Sequence, residues 1–157
     1  MRFTLVNYIC GPNGHPFKAP EIVGNSYGEF LLRSAGTGES RYLNALQDKT
    51  YDEVDVLLQA EPEVAAMPVT KRAKILRKVF GMAACDRDTS GHPFLIGLHP
   101  KCPICGSQEM KSWETTSPPD TVELDIPSVT HHAWASYSAQ DKATRVRDCV
   151  AQVLVLA

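Results

Sequence analysis

Three of the five cysteines in this 157-residue chain sit in two short stretches whose spacing is that of metal ligands. The stretch "CPICGS" runs from Cys102 to Ser107, and "CGPNGHPF" begins at Cys10. A CPxCG turn aims two thiolates at one point. Its glycine permits the sharp backbone bend, and the N–H groups of the turn hydrogen-bond the sulfurs. Two such turns supply four soft ligands to a tetrahedral ion. "CPICG" satisfies one turn completely. Aligning Cys10 with Cys102 puts Gly14 at the place of Gly106 and leaves Asn13 where a fourth cysteine belongs.

Three outcomes stay open for the fourth position. His15, whose ring reaches farther than a thiol, completes the set Cys10, His15, Cys102 and Cys105. His92 or His99 serves in its place. Or hydrogen bonds and packing hold the turns without a metal. Each turn is expected to follow a short strand and precede an extended segment, and in this the pair resembles the two halves of a zinc ribbon. The resemblance covers the two turns only. It implies one structural zinc, because four protein ligands leave no open position for water. Cys85 and Cys149 lie on or beside apolar helical faces and are expected to be core thiols.

The elements that must position these turns follow from periodicity. Alternation predicts strands over residues 2–9, 17–23, 26–33 and 41–46, a small antiparallel meander. Shorter strands are expected at 94–98, 108–114 and 121–126, around the second turn. "TYDE" reads as a capping box, with Thr50 as N-cap and Glu53 three residues on, and Tyr51, Val54, Leu57 and Leu58 as the buried stripe. "PVTKRAKILRKVFGMAAC" is the second helix, with Thr70 as its expected N-cap and Ile75, Leu76, Val79, Phe80 and Ala83 on one face. "SAQD" opens a terminal helix at Ser138, buried through Ala143, Val146, Val150, Val153 and Ala157. "GHPF" occurs at Gly14 and again at Gly91, a coincidence or two similar turns that enter strands. The fold class is α+β: a small antiparallel sheet with zinc-ribbon-like turns and three main helices. It forms one compact domain, with a boundary near Met67 as the alternative.

Composition bounds the rest. Hydrophobic residues make up 43% and charged residues 22%, enough apolar mass for a core without covalent staples. The cysteine count is odd and contains a CxxC, which fits reduced thiols better than a disulfide framework. No apolar run has the length of a membrane span. The start, "MRFTLVNYIC", lacks the long apolar core and cleavage site of a signal peptide, so a cytoplasmic location is expected.

The net charge of −2 is unevenly spread. Residues 68–101 hold seven Lys/Arg against two Asp/Glu, while the flanking segments hold five against nine and four against seven. Asp52, Glu53, Asp55, Glu61 and Glu63 form an acidic run around the first helix. Lys71, Lys74, Arg77 and Lys78 form a basic one on the second. Either run can meet a charged partner or pair within the molecule.

Signals for catalysis are sparse. His131 and His132 adjoin Trp134, but no HExxH, GxSxG or phosphate-binding loop accompanies them. They are expected to be surface or packing residues, and Trp113 and Trp134 core or rim aromatics; a pairing of His131 with Cys149 stays open. The sequence supports no catalytic assignment.

The order of parts carries one further likeness. A meander with a knuckle-like turn leads to the "YDEVDVLL" helix, a basic helix, the half-ribbon "HPKCPICGSQEMKSWE" and a terminal helix. This architecture resembles small bacterial immunity proteins that are paired with type VI secretion effectors. No binding motif carries over residue by residue. The resemblance implies a cytosolic, non-catalytic protein that neutralises one cognate toxin by tight protein–protein binding. Against a nuclease with a basic groove, Asp52, Glu53, Asp55, Glu61 and Glu63 are the expected complement. The rival class is a zinc-ribbon module for nucleic acid or a transcription complex, with Lys71, Lys74, Arg77 and Lys78 on phosphates; the negative total charge counts against it.

Overall fold

The computed structural model describes residues 1–22 and 27–156. Val23, Ser26 and Ala157, at the ends of expected elements, lie outside the described residues. The fold is α+β, with strands and helices in the order β1 (Arg2–Cys10), β2 (Pro16–Glu21), β3 (Glu29–Ser34), β4 (Ser40–Asn44), α1 (Lys49–Gln59), α2 (Pro62–Ala65), α3 (Val69–Ala84), β5 (Phe94–Ile96), β6 (Met110–Thr115), β7 (Thr121–Glu123), α4 (His132–Ser136) and α5 (Ala139–Leu156). Among the described residues no helix is long and apolar enough to cross a membrane.

The expected meander divides between two antiparallel sheets. One has the order β2-β1-β6, with β7 beside β6 on the same long strand β1; the other has the order β4-β3-β5. Both sheets draw strands from either side of Met67. Alternation along each strand fixes which face is buried but not which strands share a sheet, so the pairing was not readable in advance.

The main core lies between the second sheet and the helices. Leu32, Leu43 and Phe94 of the sheet pack with Val54, Leu58, Val79, Phe80, Val146 and Val150. Burying each large side chain contributes about 1.5–3 kcal/mol. Gly81 sets the approach of α3 to β5: a Cβ there would lie 1.8 Å from the carbonyl oxygen of Phe94. A smaller cluster, Val6, Tyr8 and Ala19, belongs to the first sheet. The two sheets are tied by Arg33 of β3, 3% exposed. Its guanidinium donates to Glu21 of β2 at 2.6 Å, to the Pro20 carbonyl at 2.6 Å and to the Leu98 carbonyl at 3.3 Å. The Tyr8 hydroxyl donates to the same Glu21 carboxylate.

Two expected caps are corrected. The N-cap of α1 is Asp48, not Thr50: its carboxylate accepts from the amides of Thr50 at 2.9 Å and Tyr51 at 3.4 Å. Asp48 prevails because its second oxygen is held by His131 at 2.8 Å, a partner 83 residues away. The N-cap of α3 is Pro68, two residues before the expected Thr70, and it makes no side-chain cap. Ser138 does cap α5, accepting from the Asp141 amide at 3.1 Å. The short helix α4 arises from a distant residue: Asp86, just past α3, accepts from the amides of His132 and Ala133, both at 2.9 Å.

Candidate metal centre

The two cysteine turns have the same backbone. In the first, the Cys10 amide donates to the His15 carbonyl at 3.0 Å and the Gly14 amide to the Cys10 carbonyl at 2.9 Å. In the second, the Cys102 amide donates to Ser107 and the Gly106 amide to Cys102, both at 2.8 Å. Gly14 and Gly106 take φ of 67° and 75°, the left-handed region that glycine occupies without a Cβ clash. Asn13 therefore stands at the place of Cys105, and His15 at that of Ser107.

Sheet pairing brings the turns together. Cys10 ends β1, and β1 pairs with β6, the strand that leaves the second turn. Beside them the Gly11 amide donates to the Glu109 carbonyl at 2.7 Å. A Cβ on Gly11 would stand 3.2 Å from that oxygen, so the close seam favours glycine here.

The result is one group of metal-competent side chains among the described residues: Cys10, His15, Cys102 and Cys105, with ligand atoms all within 4.8 Å of one another. The Cys10 and Cys105 sulfurs are 3.5 Å apart. His15 Nδ1 lies 3.9 Å from the Cys10 sulfur and 3.5 Å from that of Cys102. Cys10 and Cys102 are buried, His15 is half-buried and Cys105 is exposed. The cluster can hold one metal ion.

Its electrostatics suit a cation. The Ser107 amide, the His15 ring and the Asn13 side chain draw the Cys105 thiol down to about 6. Desolvation pushes the Cys102 thiol up, but the amides of Cys105 and Ile104 and the ring of His15 outweigh it, and the net shift is downward. Hydrogen bonding to Cys105 and Cys102 raises His15. These backbone N–H groups are those that stabilise thiolates in a metal-binding turn.

The alternatives for the fourth ligand are committed elsewhere. His92 meets the Ser90 hydroxyl through Nδ1 at 2.8 Å, and the His99 ring packs on Trp113 with centroids 4.6 Å apart. Both "GHPF" segments are turns with a positive-φ glycine that lead into strands; only the first turns its histidine toward cysteines. Cys85 is buried, and desolvation pushes its thiol up, as for a core thiol. Cys149 is half-buried. Both ring nitrogens of His131 are taken, by Asp48 and by the Ala84 carbonyl at 2.7 Å, and neither bonds Cys149.

The acidic run is dispersed rather than gathered. Glu61 is 8% exposed and pairs within the molecule, facing Arg147 at 3.4 Å. Glu53 pairs with Lys142 at 2.7 Å and Asp55 with Arg72 at 3.8 Å. Asp52 and Glu63 are exposed. On α3, Lys71, Lys74 and Lys78 are exposed and Arg77 is half-buried. The sequence reading missed the Tyr8–Glu21–Arg33 network. "EFLLRS" and "PFKAPE" look like ordinary strands, and nothing local shows that their two charges meet in the interior.

No family model, curated protein or solved structure matches this chain.

Proposed function

We propose that this chain is a non-catalytic protein-binding protein whose first sheet is braced by one structural zinc ion. The observation that supports this is the Cys10–His15–Cys102–Cys105 cluster. Zinc bond lengths place ligands about 3.8 Å apart between two sulfurs and about 3.6 Å apart between sulfur and nitrogen. The separations of 3.5, 3.5 and 3.9 Å lie close to these edges, and every other pair of ligand atoms is within 4.8 Å. Three thiolates and one imidazole fill the tetrahedron, so the ion supplies shape and no reactive position. It clamps two turns 87 residues apart and fixes β1 against β6. The braced region presents apolar side chains to solvent: Ile104 is 66% exposed and Trp113 55%. Exposed aromatic and aliphatic anchors on a rigid support are what a protein interface uses.

The partner class follows the architectural likeness: a cognate toxin, neutralised by direct binding. Capture from the native cell, after nuclease treatment and a high-salt wash, tests it, with zinc measured on the same eluate. The expected result is one protein in equal amount and about one zinc per chain. The captured protein expressed alone should arrest growth, and this chain should restore it. A captured protein without toxicity would reject the immunity role. Nothing but nucleic acid, lost on nuclease treatment, would favour a phosphate-binding role through Lys71, Lys74, Arg77 and Lys78.

A further inference from the structure

We propose that the groove along the seam of α1 and α3 is covered by the same groove of a second copy of this chain, in a dimer that exchanges Arg77 for Asp52 across a twofold axis. The groove has a volume of about 750 Å³. Its floor is apolar: Tyr51 of α1 and Leu76 of α3, with Phe30 of β3 and Ala45 at the end of the second sheet. The Tyr51 ring is held between Phe30, with centroids 6.5 Å apart, and Phe80, at 4.8 Å, so the floor is rigid.

The rim carries large apolar side chains in solvent. Tyr27 is 83% exposed and Leu46 65%, and both line the groove. On α3, Ala73 and Arg77 line it, and Val69, one turn before Ala73 in the same row, is 68% exposed. On α1, Asp52 lines it, and Val56, one turn after Asp52, is 65% exposed. A contiguous apolar patch of this kind is unusual on a surface that stays in water.

The charges say what covers it. Arg77 and Asp52 stand on different helices at the same groove, and among the described residues neither enters an ion pair. Glu29 also lines the groove, with one oxygen taken by the Tyr42 hydroxyl. Tyr51 packs on Phe80 while Asp55, later in α1, pairs with Arg72, earlier in α3. The two helices are therefore antiparallel, and between these contacts Asp52 and Arg77 fall near one level. A twofold axis along the seam lays α3 of one copy over α1 of the other. Arg77 then meets Asp52 of the second copy, and the same pair forms again on the other side of the axis. The row Val69–Ala73–Arg77 faces the row Asp52–Val56, so valine lies over valine where arginine lies over aspartate. One cation and one anion on opposite walls suit a copy of this surface better than a partner of a single charge sign.

Sedimentation velocity of the purified chain tests this, in reducing buffer so that the exposed Cys105 cannot cross-link copies. Wild type should pass from monomer to dimer with a dissociation constant of about 50 µM, weakened by salt. Asp52→Arg alone and Arg77→Asp alone should each weaken association about tenfold, since like charges then face each other, and the double variant should return to within about threefold of wild type. Leu46→Asp should leave a monomer whose urea midpoint is unchanged, because this side chain is already in solvent. A monomer at every concentration overturns the proposal. A dimer indifferent to Leu46→Asp and to the single charge changes overturns the groove as its seat. A double variant no tighter than the single ones overturns the Arg77–Asp52 exchange. The chain is measured with itself alone, so each result stands whether or not a toxin is captured.

Discussion

His15 and Ser107 hold the same place in two turns of one design. Each carbonyl accepts the amide of the first cysteine of its turn, at 3.0 Å from Cys10 and 2.8 Å from Cys102. The first turn carries its candidate ligand two residues on, at the position of His15 rather than that of Asn13, where a longer side chain reaches back toward the same cysteines.

This equivalence predicts a ligand swap. His15→Ser should lose most bound zinc, and Asn13→Cys with His15→Ser should regain it as a four-thiolate site. The Asn13 side chain helps draw the Cys105 thiol down, so a thiol at this position starts near the others. Zinc content by elemental analysis reads about one per chain for wild type and for the double variant. A double variant as empty as the single one would show that the turns are not interchangeable.

Arg33 should be costly to remove alone. Its side chain is 4% exposed against 22% for Glu21, and it joins the two sheets. Arg33→Met leaves the Glu21 carboxylate without its cation and should cost about 3–5 kcal/mol. Adding Glu21→Met should recover a substantial part, since an apolar pair carries no unmet charge. Urea unfolding of the three proteins measures this; no recovery would mean that the network, not the unpaired charge, carries the energy.

The Asp48–His131 pair predicts a loss of stability on the alkaline side. Burial pushes His131 down, but hydrogen bonds to Asp48 and to the Ala84 carbonyl outweigh it, so its folded value lies above the ordinary 6.5. Both partners accept, so the ring donates from both nitrogens and is cationic. The stability it supplies is full below 6.5 and is lost as pH rises through the higher folded value. Asp48 moves the other way: burial raises it, bonds from His131 and the helix amides lower it further, and its share is lost as pH falls through the folded value. The urea midpoint should fall as pH rises above 6.5, and His131→Gln should flatten that fall. Equal slopes in both proteins would remove His131 as the cause.

Gly81 should resist substitution. Its Cβ would meet the Phe94 carbonyl at 1.8 Å, so α3 or β5 must shift to admit alanine. Alanine is the better helix former by about 1 kcal/mol, yet Gly81→Ala should destabilise by about 3 kcal/mol through overpacking. Thermal and urea unfolding report the sign, and a stabilised variant would show that the two elements separate easily.

The residues that could be read from the sequence are those whose geometry is local. The likeness of Cys10 to Cys102 and of Gly14 to Gly106 follows from spacing, because each turn closes on its own amide and carbonyl groups within six residues. The helices α3 and α5 follow from apolar periodicity, and the Ser138 cap from a bond across three residues. What local order could not decide was every choice between equivalent candidates. Asp48 and Thr50 both suit an N-cap, and His131, 83 residues away, settles it for Asp48. Glu61 and Glu63 look alike until folding buries one beside Arg147 and exposes the other. His15, His92 and His99 all suit a metal, and only the pairing of β1 with β6 places His15 against Cys102. Short-range hydrogen bonds and side-chain periodicity are written in neighbouring residues. Ligand sets, ion pairs and shared clefts depend on distances between segments far apart in the chain, which only the folded structure fixes.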